Sequence, residues 1–229
     1  PLIQNKMLFL SDKRLDETAT TGILQLSSPE HVGTQAGEFC IIWLGPEWPL
    51  DQRPDDALSL RFEQLLEQDV DLVGAARIHL KLKSQTSQAN LSVRLNDVAP
   101  NGESTRITYG ILNLSQRNSA EFPEVLPKDE WVEVEIALDE IAYQIPKGHS
   151  LRLSISSSYF PLIWPSAEKA SLEFDLSQCY LELPVLHTKP TRNISFPPAE
   201  SASPADIEIL RPSNSQRFIN QDIVANTTT

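Results

Sequence analysis

Apolar and polar residues alternate along most of this chain, and the alternation predicts β-strands. In Ala76–Lys83 the apolar side chains at 76, 78, 80 and 82 face one way, and Arg77, His79, Lys81 and Lys83 face the other. A period of two is typical of a strand with one buried and one solvated face. Six further runs repeat the pattern, at 91–95, 107–111, 132–138, 151–155, 172–176 and 179–183.

Weaker signals add further elements. Less regular apolar runs predict strands at 22–26, 39–44 and 58–62, and short helical turns are expected at Glu63–Gln68 and Asp139–Ala142. Asn101-Gly102 lies between two strong runs, and such a pair adopts the positive φ angles of a tight turn at little cost. Residues 91–114 are therefore predicted to form a hairpin.

These strands predict an all-β fold. About ten strands with one apolar face each need a second sheet to cover them, because the sequence has no long amphipathic helix to do so. The prediction is a two-sheet antiparallel β-sandwich of jelly-roll type.

The chain divides into three parts by pattern. Residues 1–38 are a lead-in segment with a short strand, 39–188 form the sandwich, and 189–229 are a Pro/Ser-rich linker and the start of a further β region. Within that last part, strands are predicted at 207–210 and 218–224. Because the chain starts at Pro1 and ends at Thr229 without a closing signal, we expect it to be part of a longer protein.

Composition limits the classes of partner and the cellular location that we expect. The 229 residues carry 19 Lys+Arg against 31 Asp+Glu, a net charge of −12, so a nucleic-acid partner is not expected. No apolar run approaches the roughly 20 residues of a membrane span, and no export signal is visible. We therefore expect a cytoplasmic protein with no membrane partner, in which Cys40 and Cys179 are reduced thiols.

Residues of hydrolytic or metal chemistry do not form a known motif. The nucleophile elbow Gly-x-Ser-x-Gly is missing, and its nearest approximation, Gly102–Arg106, lacks the second glycine. The histidines at 31, 79, 149 and 187 stand in no metal-ligand spacing. The carboxylate pairs Asp55-Asp56 and Asp139-Glu140 are interpreted as solvated turn residues. No catalytic residue, metal or cofactor is assigned.

Aromatic residues are the remaining candidates for a site. They are Trp43, Trp48, Tyr159, Phe160 and Trp164, which lie in two segments rich in turn residues. Large rings in loops act as anchors at an interface or as walls of a pocket. The alternative is that they cap the ends of the sandwich.

Four segments together resemble one protein family. They are Asp51–Asp56, Val93–Gly102, Tyr109–Leu114 and Gly148–Ser166, the last containing Gly-His-Ser-Leu-Arg-Leu-Ser-Ile-Ser-Ser-Ser-Tyr-Phe-Pro. They are similar to the C-terminal domain of the X-prolyl dipeptidyl-peptidase and cocaine-esterase group of serine hydrolases. The resemblance covers about Phe39 to Leu186 in consistent order.

This resemblance implies a jelly-roll, galactose-binding-like domain that follows an α/β-hydrolase domain with a helical cap. The Ser, Asp and His triad and the oxyanion-hole tyrosine would belong to those upstream domains of the same polypeptide, so no catalytic residue falls on this chain. The domain would pack on them and help to wall the substrate cleft, with Trp43–Asp56 nearest the cleft.

The first hypothesis is therefore a non-catalytic accessory domain of a serine hydrolase, inactive alone. A carbohydrate-binding module is an alternative, since jelly rolls bind sugars on exposed aromatic rows. An oligomerisation module, with a homo-oligomer as its product, is another, and it would show a large apolar face repeated about a two-fold axis.

Overall fold

The computed structural model describes residues 2–35, 51–188 and 195–203, and further along the chain residues 205, 206, 208, 210–212, 218, 220–222, 224, 225, 227 and 228. The chain forms two compact units, Pro1–Thr188 and Lys189–Thr229. No helix in these ranges is long and apolar enough to cross a membrane.

The first unit consists almost entirely of strands. They are β1 (Ile3–Leu10), β2 (Leu15–Asp16), β3 (Ile23–Leu26), β4 (Leu60–Leu65), β5 (Val70–Gly74), β6 (Arg77–Ser84), β7 (Asn90–Val98), β8 (Ser104–Asn113), β9 (Trp131–Ala137), β10 (Ile141–Ile145), β11 (Ser150–Ser156), β12 (Leu172–Asp175) and β13 (Tyr180–Leu186). A one-turn helix, α1 (Arg53–Asp56), and 3₁₀ turns at Leu114–Gln116 and Leu176–Gln178 complete its described elements.

The strands form two antiparallel sheets. The four-stranded sheet has the order β4-β11-β7-β8. The nine-stranded sheet follows the path β10-β5-β13-β6-β12-β3, with β1 on β13, β2 on β1 and β9 on β6. The prediction of an all-β, two-sheet antiparallel sandwich is confirmed.

One hydrophobic core lies between the sheets. Leu153 of β11 pairs with Phe62 on one side and Leu95 on the other, and all three are buried in the same cluster as Ile78 and Leu80 of β6. Gly110 of β8 marks a close approach of the two sheets, because a β-carbon there would lie 2.6 Å from the Ala137 carbonyl oxygen at the end of β9.

The predicted hairpin at 91–114 is confirmed by β7 and β8. Its turn closes with a hydrogen bond from the Ala99 N–H to the Glu103 carbonyl, and Gly102 adopts a φ of +87°. The Asn101 side chain accepts from the Glu103 N–H at 3.0 Å. Asn-Gly therefore provides both the backbone freedom and the side-chain acceptor that this turn needs.

Both predicted helical turns are wrong. Glu63–Leu65 belongs to β4 and Ile141–Ala142 to β10, because each run pairs along its length with a neighbouring strand. The sequence pattern does not predict α1, the one α-helix among the described residues. The runs at 22–26 and 58–62 correspond to β3 and the start of β4, whereas the run at 39–44 lies outside the described residues.

The N-terminal segment contributes an eight-residue strand. β1 pairs with β13 from Ile3 to Phe9, which places the lead-in segment inside the nine-stranded sheet. The sequence pattern does not predict β1; the only strand it predicts in the lead-in segment is the 22–26 run, which corresponds to β3.

In the second unit, the described residues form a short ladder of β14 (Gln221–Asp222) with β15 (Thr227–Thr228). Among the described residues of the strands predicted in this unit, Glu208 and Leu210 of the 207–210 run lie outside any strand, and in the 218–224 run Gln221–Asp222 are the strand residues. Prolines at 204 and 212 flank the first run, and proline cannot donate a hydrogen bond to a sheet.

A matched pair of substitutions tests the sandwich. Leu153→Ala should lower the free energy of unfolding by about 2–5 kcal/mol, because it opens a cavity in the core. Leu65→Ala on neighbouring β4 should cost less than about 0.5 kcal/mol, because that side chain is 67% exposed. Urea unfolding followed by circular dichroism measures both. Equal losses would contradict the assignment of the inner face.

Candidate functional site

Several polar side chains on the outer face of the four-stranded sheet are buried. Strand β7 is buried on both faces, and Arg94 and Asn96 are fully covered, as is Ser154 of β11. The alternating pattern predicts a solvated face for such residues. The structure differs because α1 and the residues beside it lie over this face and hydrogen-bond to it.

The Asp56 carboxylate is the centre of this buried face. Its Oδ1 accepts hydrogen bonds from Asn96 Nδ2 at 2.9 Å and from Ser154 Oγ at 2.8 Å. Its Oδ2 accepts from Ser104 Oγ at 2.9 Å and from Arg152 Nη1 at 2.8 Å. Four donors on three strands therefore satisfy one carboxylate, and they fix α1 against β7, β8 and β11.

Two arginines balance the charge. Arg94 Nη1 lies 3.6 Å from Asp56 Oδ1, and Arg94 Nη2 donates to Ser59 Oγ at 2.8 Å. Arg152 also donates from Nε to Glu63 Oε1 at 2.7 Å. Burial alone would lower the pKa of Arg152, but its bonds to Asp56 and Glu63 raise that pKa above its ordinary value. The Arg152 guanidinium therefore remains charged inside the domain.

The interpretation of Asp55-Asp56 as solvated turn residues is wrong, since the two are 1% and 0% exposed. Pro54 in the first turn favours α1, and the two acidic residues there suit the helix dipole. Asp139 and Glu140 are exposed, as expected. The missed signal was the pair of arginines on adjacent strands, which need a buried carboxylate on the same face.

Asp55 has a different environment from Asp56. Its Oδ1 accepts a hydrogen bond from the Gly33 N–H at 2.8 Å, and its Oδ2 has no partner among the described residues. Burial raises the pKa of Asp55, and the neighbouring Asp56 charge adds to the rise, while the Gly33 N–H and Arg94 only partly oppose it. The two consecutive carboxyls thus differ strongly in how well they are satisfied.

The aromatic loop, residues 159–164, begins inside this network. Tyr159 is 1% exposed, donates to Gln52 Oε1 at 3.3 Å and accepts from Arg106 Nη1 at 3.1 Å. Arg94 lies over its ring, 4.9 Å from the centroid. Burial raises the pKa of Tyr159, although Arg94 and Arg106 oppose the change. This phenol is therefore a neutral, structural hydrogen-bonding group.

The aromatic loop ends at the surface. Trp164 is 80% exposed, and its ring meets the half-buried Phe160 ring edge-on at 5.8 Å. Of the five aromatic candidates, the structure thus places Tyr159 inside and Phe160 and Trp164 together at the surface. Trp43 and Trp48 lie outside the described residues.

The aromatic loop is tied to a second segment, residues 28–34. The Phe160 N–H donates to the Val32 carbonyl at 2.8 Å, and Ser28 and Ser157 exchange hydrogen bonds at 3.0 and 3.1 Å. Gly33 has a φ of +102°, and a β-carbon there would lie 2.5 Å from the Phe160 carbonyl oxygen. Only glycine therefore fits between Asp55 and the loop backbone.

A second polar cluster lies where the chain crosses between the sheets. His149 Nδ1 is 2.7 Å from Asp97 Oδ1, and the Tyr143 hydroxyl donates to Asp97 Oδ2 at 3.0 Å. Burial, with Asp97 adding to it, raises the pKa of Tyr143 to about 12. No serine or cysteine in the described part of the chain hydrogen-bonds to the His149 ring. The cluster joins β7 to β10 of the other sheet.

Two further candidates for chemistry, Cys179 and His79, are at least partly buried. Cys179 is a free, buried thiol whose pKa burial raises to about 11, so a thiolate is disfavoured there. Cys40 lies outside the described residues. His79, expected to be solvated, is half-buried and stacks on Tyr180 at 4.4 Å. The described residues contain no group of three side chains suited to hold a metal ion.

The fold and this face together define a jelly-roll β-sandwich domain whose buried ionisable groups are engaged in holding a covering segment in place. Residues 2–196 match the family model described as the X-Pro dipeptidyl-peptidase C-terminal non-catalytic domain. The chain belongs to this family, and the resemblance seen in its sequence is confirmed.

The chain is similar in sequence to parts of two longer enzymes. The chain is 29% identical to a cocaine esterase from Rhodococcus sp. (strain MB1 Bresler), with 51% of this chain and 21% of that protein covered. It is 28% identical to a Xaa-Pro dipeptidyl-peptidase from Streptococcus pneumoniae, with 51% and 20% covered. The chain therefore spans about a fifth of the length of these relatives.

Solved structures share the fold. An alpha-amino acid ester hydrolase superposes with a TM-score of 0.70 at 20% identity, covering 79% of this chain and 36% of that one. An aminopeptidase from a marine sediment Thaumarchaeota archaeon gives 0.69 at 16% identity, covering 80% and 37%.

The contribution of the Asp56 network to the free energy of unfolding can be measured. Asp56→Asn should lower the free energy of unfolding by about 3–5 kcal/mol, because it leaves two buried guanidinium groups without their shared carboxylate. Asp51→Asn is the matched control, since it removes an exposed ion pair to Arg53 and should cost less than about 1 kcal/mol. Urea denaturation gives both values. A loss at position 56 no larger than at position 51 would show that the network is dispensable.

Proposed function

We propose that this domain packs on the α/β-hydrolase and cap domains of the same polypeptide and helps to wall the substrate cleft of a serine hydrolase acting on ester or amide bonds. The observation that carries the proposal is Trp164, a large ring that is 80% exposed at the end of a loop whose start is buried. Membership in a non-catalytic family supports an accessory role.

An exposed ring on an anchored loop suits an interface. Backbone hydrogen bonds to Val32 and the Ser28–Ser157 exchange hold the loop at its base. The tip carries Trp164 and Leu162, which is 38% exposed. Aromatic residues presented on rigid elements are the usual anchors of protein interfaces. Capping of the sandwich, the alternative for these rings, describes Tyr159 but not Trp164.

The segment Trp43–Asp56, proposed from the sequence to lie nearest the cleft, ends at the same place. Gln52 accepts a hydrogen bond from Tyr159, and Asp56 is fixed on the sheet beneath. The described end of this segment therefore meets the base of the aromatic loop. That proximity supports treating the two as one surface that faces the hydrolase.

Hydrogen exchange tests the packing. Peptides covering residues 157–166 should exchange more slowly in the full-length protein than in this chain alone, because the partner domain would cover the loop. A peptide covering β9, which holds the half-exposed Trp131 on the other sheet, is the control and should not change. Mass spectrometry measures both. Equal exchange of the aromatic loop in the two proteins would exclude it from the interface.

Kinetics tests the cleft wall. In the full-length enzyme, Trp48→Ala should raise KM by about tenfold to a hundredfold with nearly constant kcat, because ring burial against substrate stabilises ground and transition states alike. Trp131→Ala is the control and should leave KM unchanged. A Trp48→Ala enzyme with the parental KM and a lower Tm would reduce the role of this segment to structural support.

A further inference from the structure

Asp55 is a buried carboxyl that the Asp56 network does not use. It is 1% exposed, yet it accepts one hydrogen bond, from Gly33, and its second oxygen has no partner in the described ranges. A buried ionised carboxylate needs several donors or a dedicated cation. The protonated acid needs neither to the same degree.

The arginines around Asp55 already interact with other groups. Asp56 lies beside it on α1, Arg94 faces it from β7, and His31 and Tyr159 face it from the two segments packed above. Arg94 and Arg152 form ion pairs with Asp56, and Arg152 also forms one with Glu63. Arg106 of β8 donates to the Tyr159 hydroxyl. An ionised Asp55 would be a third carboxylate sharing the two arginines.

Asp55 is connected to the aromatic loop through Gly33. Its one hydrogen bond holds the Gly33 N–H, and Gly33 packs against the Tyr159–Phe160 backbone with no room for a side chain. The next residue back, Val32, accepts the Phe160 N–H. Gly33 and the backbone of the aromatic loop must therefore move together.

We propose that Asp55 is a positioning residue that is protonated while the 28–34 segment is closed, and that loss of this proton as pH rises loosens that segment and the aromatic loop that presents Trp164. The identity of the surface as a docking face rests on the proposed function, whereas the proton-linked opening does not.

The sign follows from linkage. The pKa of Asp55 is raised by burial above the 3.8 of an ordinary aspartate, and opening of the segment would expose the carboxyl to water and lower this pKa toward that value. The closed state is then favoured fully below that ordinary value, and the advantage is lost as pH rises through the closed-state pKa. Between the two values, opening releases one proton and becomes roughly tenfold more favourable per pH unit.

Nuclear magnetic resonance on this chain tests the proposal. The Gly33 amide shift reports the ionisation of Asp55, because that amide donates to the carboxyl. The exchange protection of the Phe160 amide reports opening. From about pH 2.5 to about pH 9, the Gly33 shift should titrate with a midpoint above 3.8. The Phe160 protection factor should fall with pH below that midpoint and then level.

Two variants complete the experiment. Asp55→Asn should abolish the Gly33 titration and make the Phe160 protection independent of pH. Asp12→Asn, at an exposed position, should behave as the parent. A Gly33 midpoint at or below 3.8, or constant Phe160 protection in the parent chain, overturns the proposal, and both are decided without the variants. Failure of the docking proposal would appear separately, as unchanged loop exchange in the full-length protein.

Discussion

A single buried carboxylate determines how the outer face of this domain is built. Asp56 gathers side chains from β7, β8 and β11, and in doing so it holds α1 on the sheet. Hydrogen bonds depend on direction as well as distance, so this layer allows one placement of the helix. An apolar contact of the same area would tolerate sliding. The path of the chain on both sides of α1, including the contact of Gln52 with Tyr159, follows from that placement.

The sequence predicted the strands well because strand periodicity is a local property. Ala76–Lys83 shows its two faces within eight residues, and β6 with its buried Ile78 and Leu80 follows directly. Helix α1 was missed because four residues have little intrinsic helical preference, and tertiary contacts stabilise it. The helical turn expected at Glu63–Gln68 does not form, because pairing of β4 with β11 outweighs the local helical preference.

The site was harder to predict than the fold because its contacts are distant in sequence. Asp56 meets Asn96 across 40 positions and Arg152 across 96, and no local pattern encodes such pairings. The family resemblance singled out Asp51–Asp56 without saying what those residues do. The aromatic residues were selected by type, which places Tyr159 and Trp164 in one group although one is a buried hydrogen-bonding group and the other is exposed.

The reciprocal bonds between Ser28 and Ser157 affect the thermodynamics of association. When a loop becomes ordered only on docking, the conformational entropy that it loses makes the free energy of binding less favourable and weakens affinity. Here the base of the loop is held when the domain itself folds, by backbone and hydroxyl hydrogen bonds that leave the Trp164 ring out of the core. In the docking proposed above, the ring would meet its partner already positioned. Association through it would be limited by desolvation of the indole rather than by a search among loop conformations.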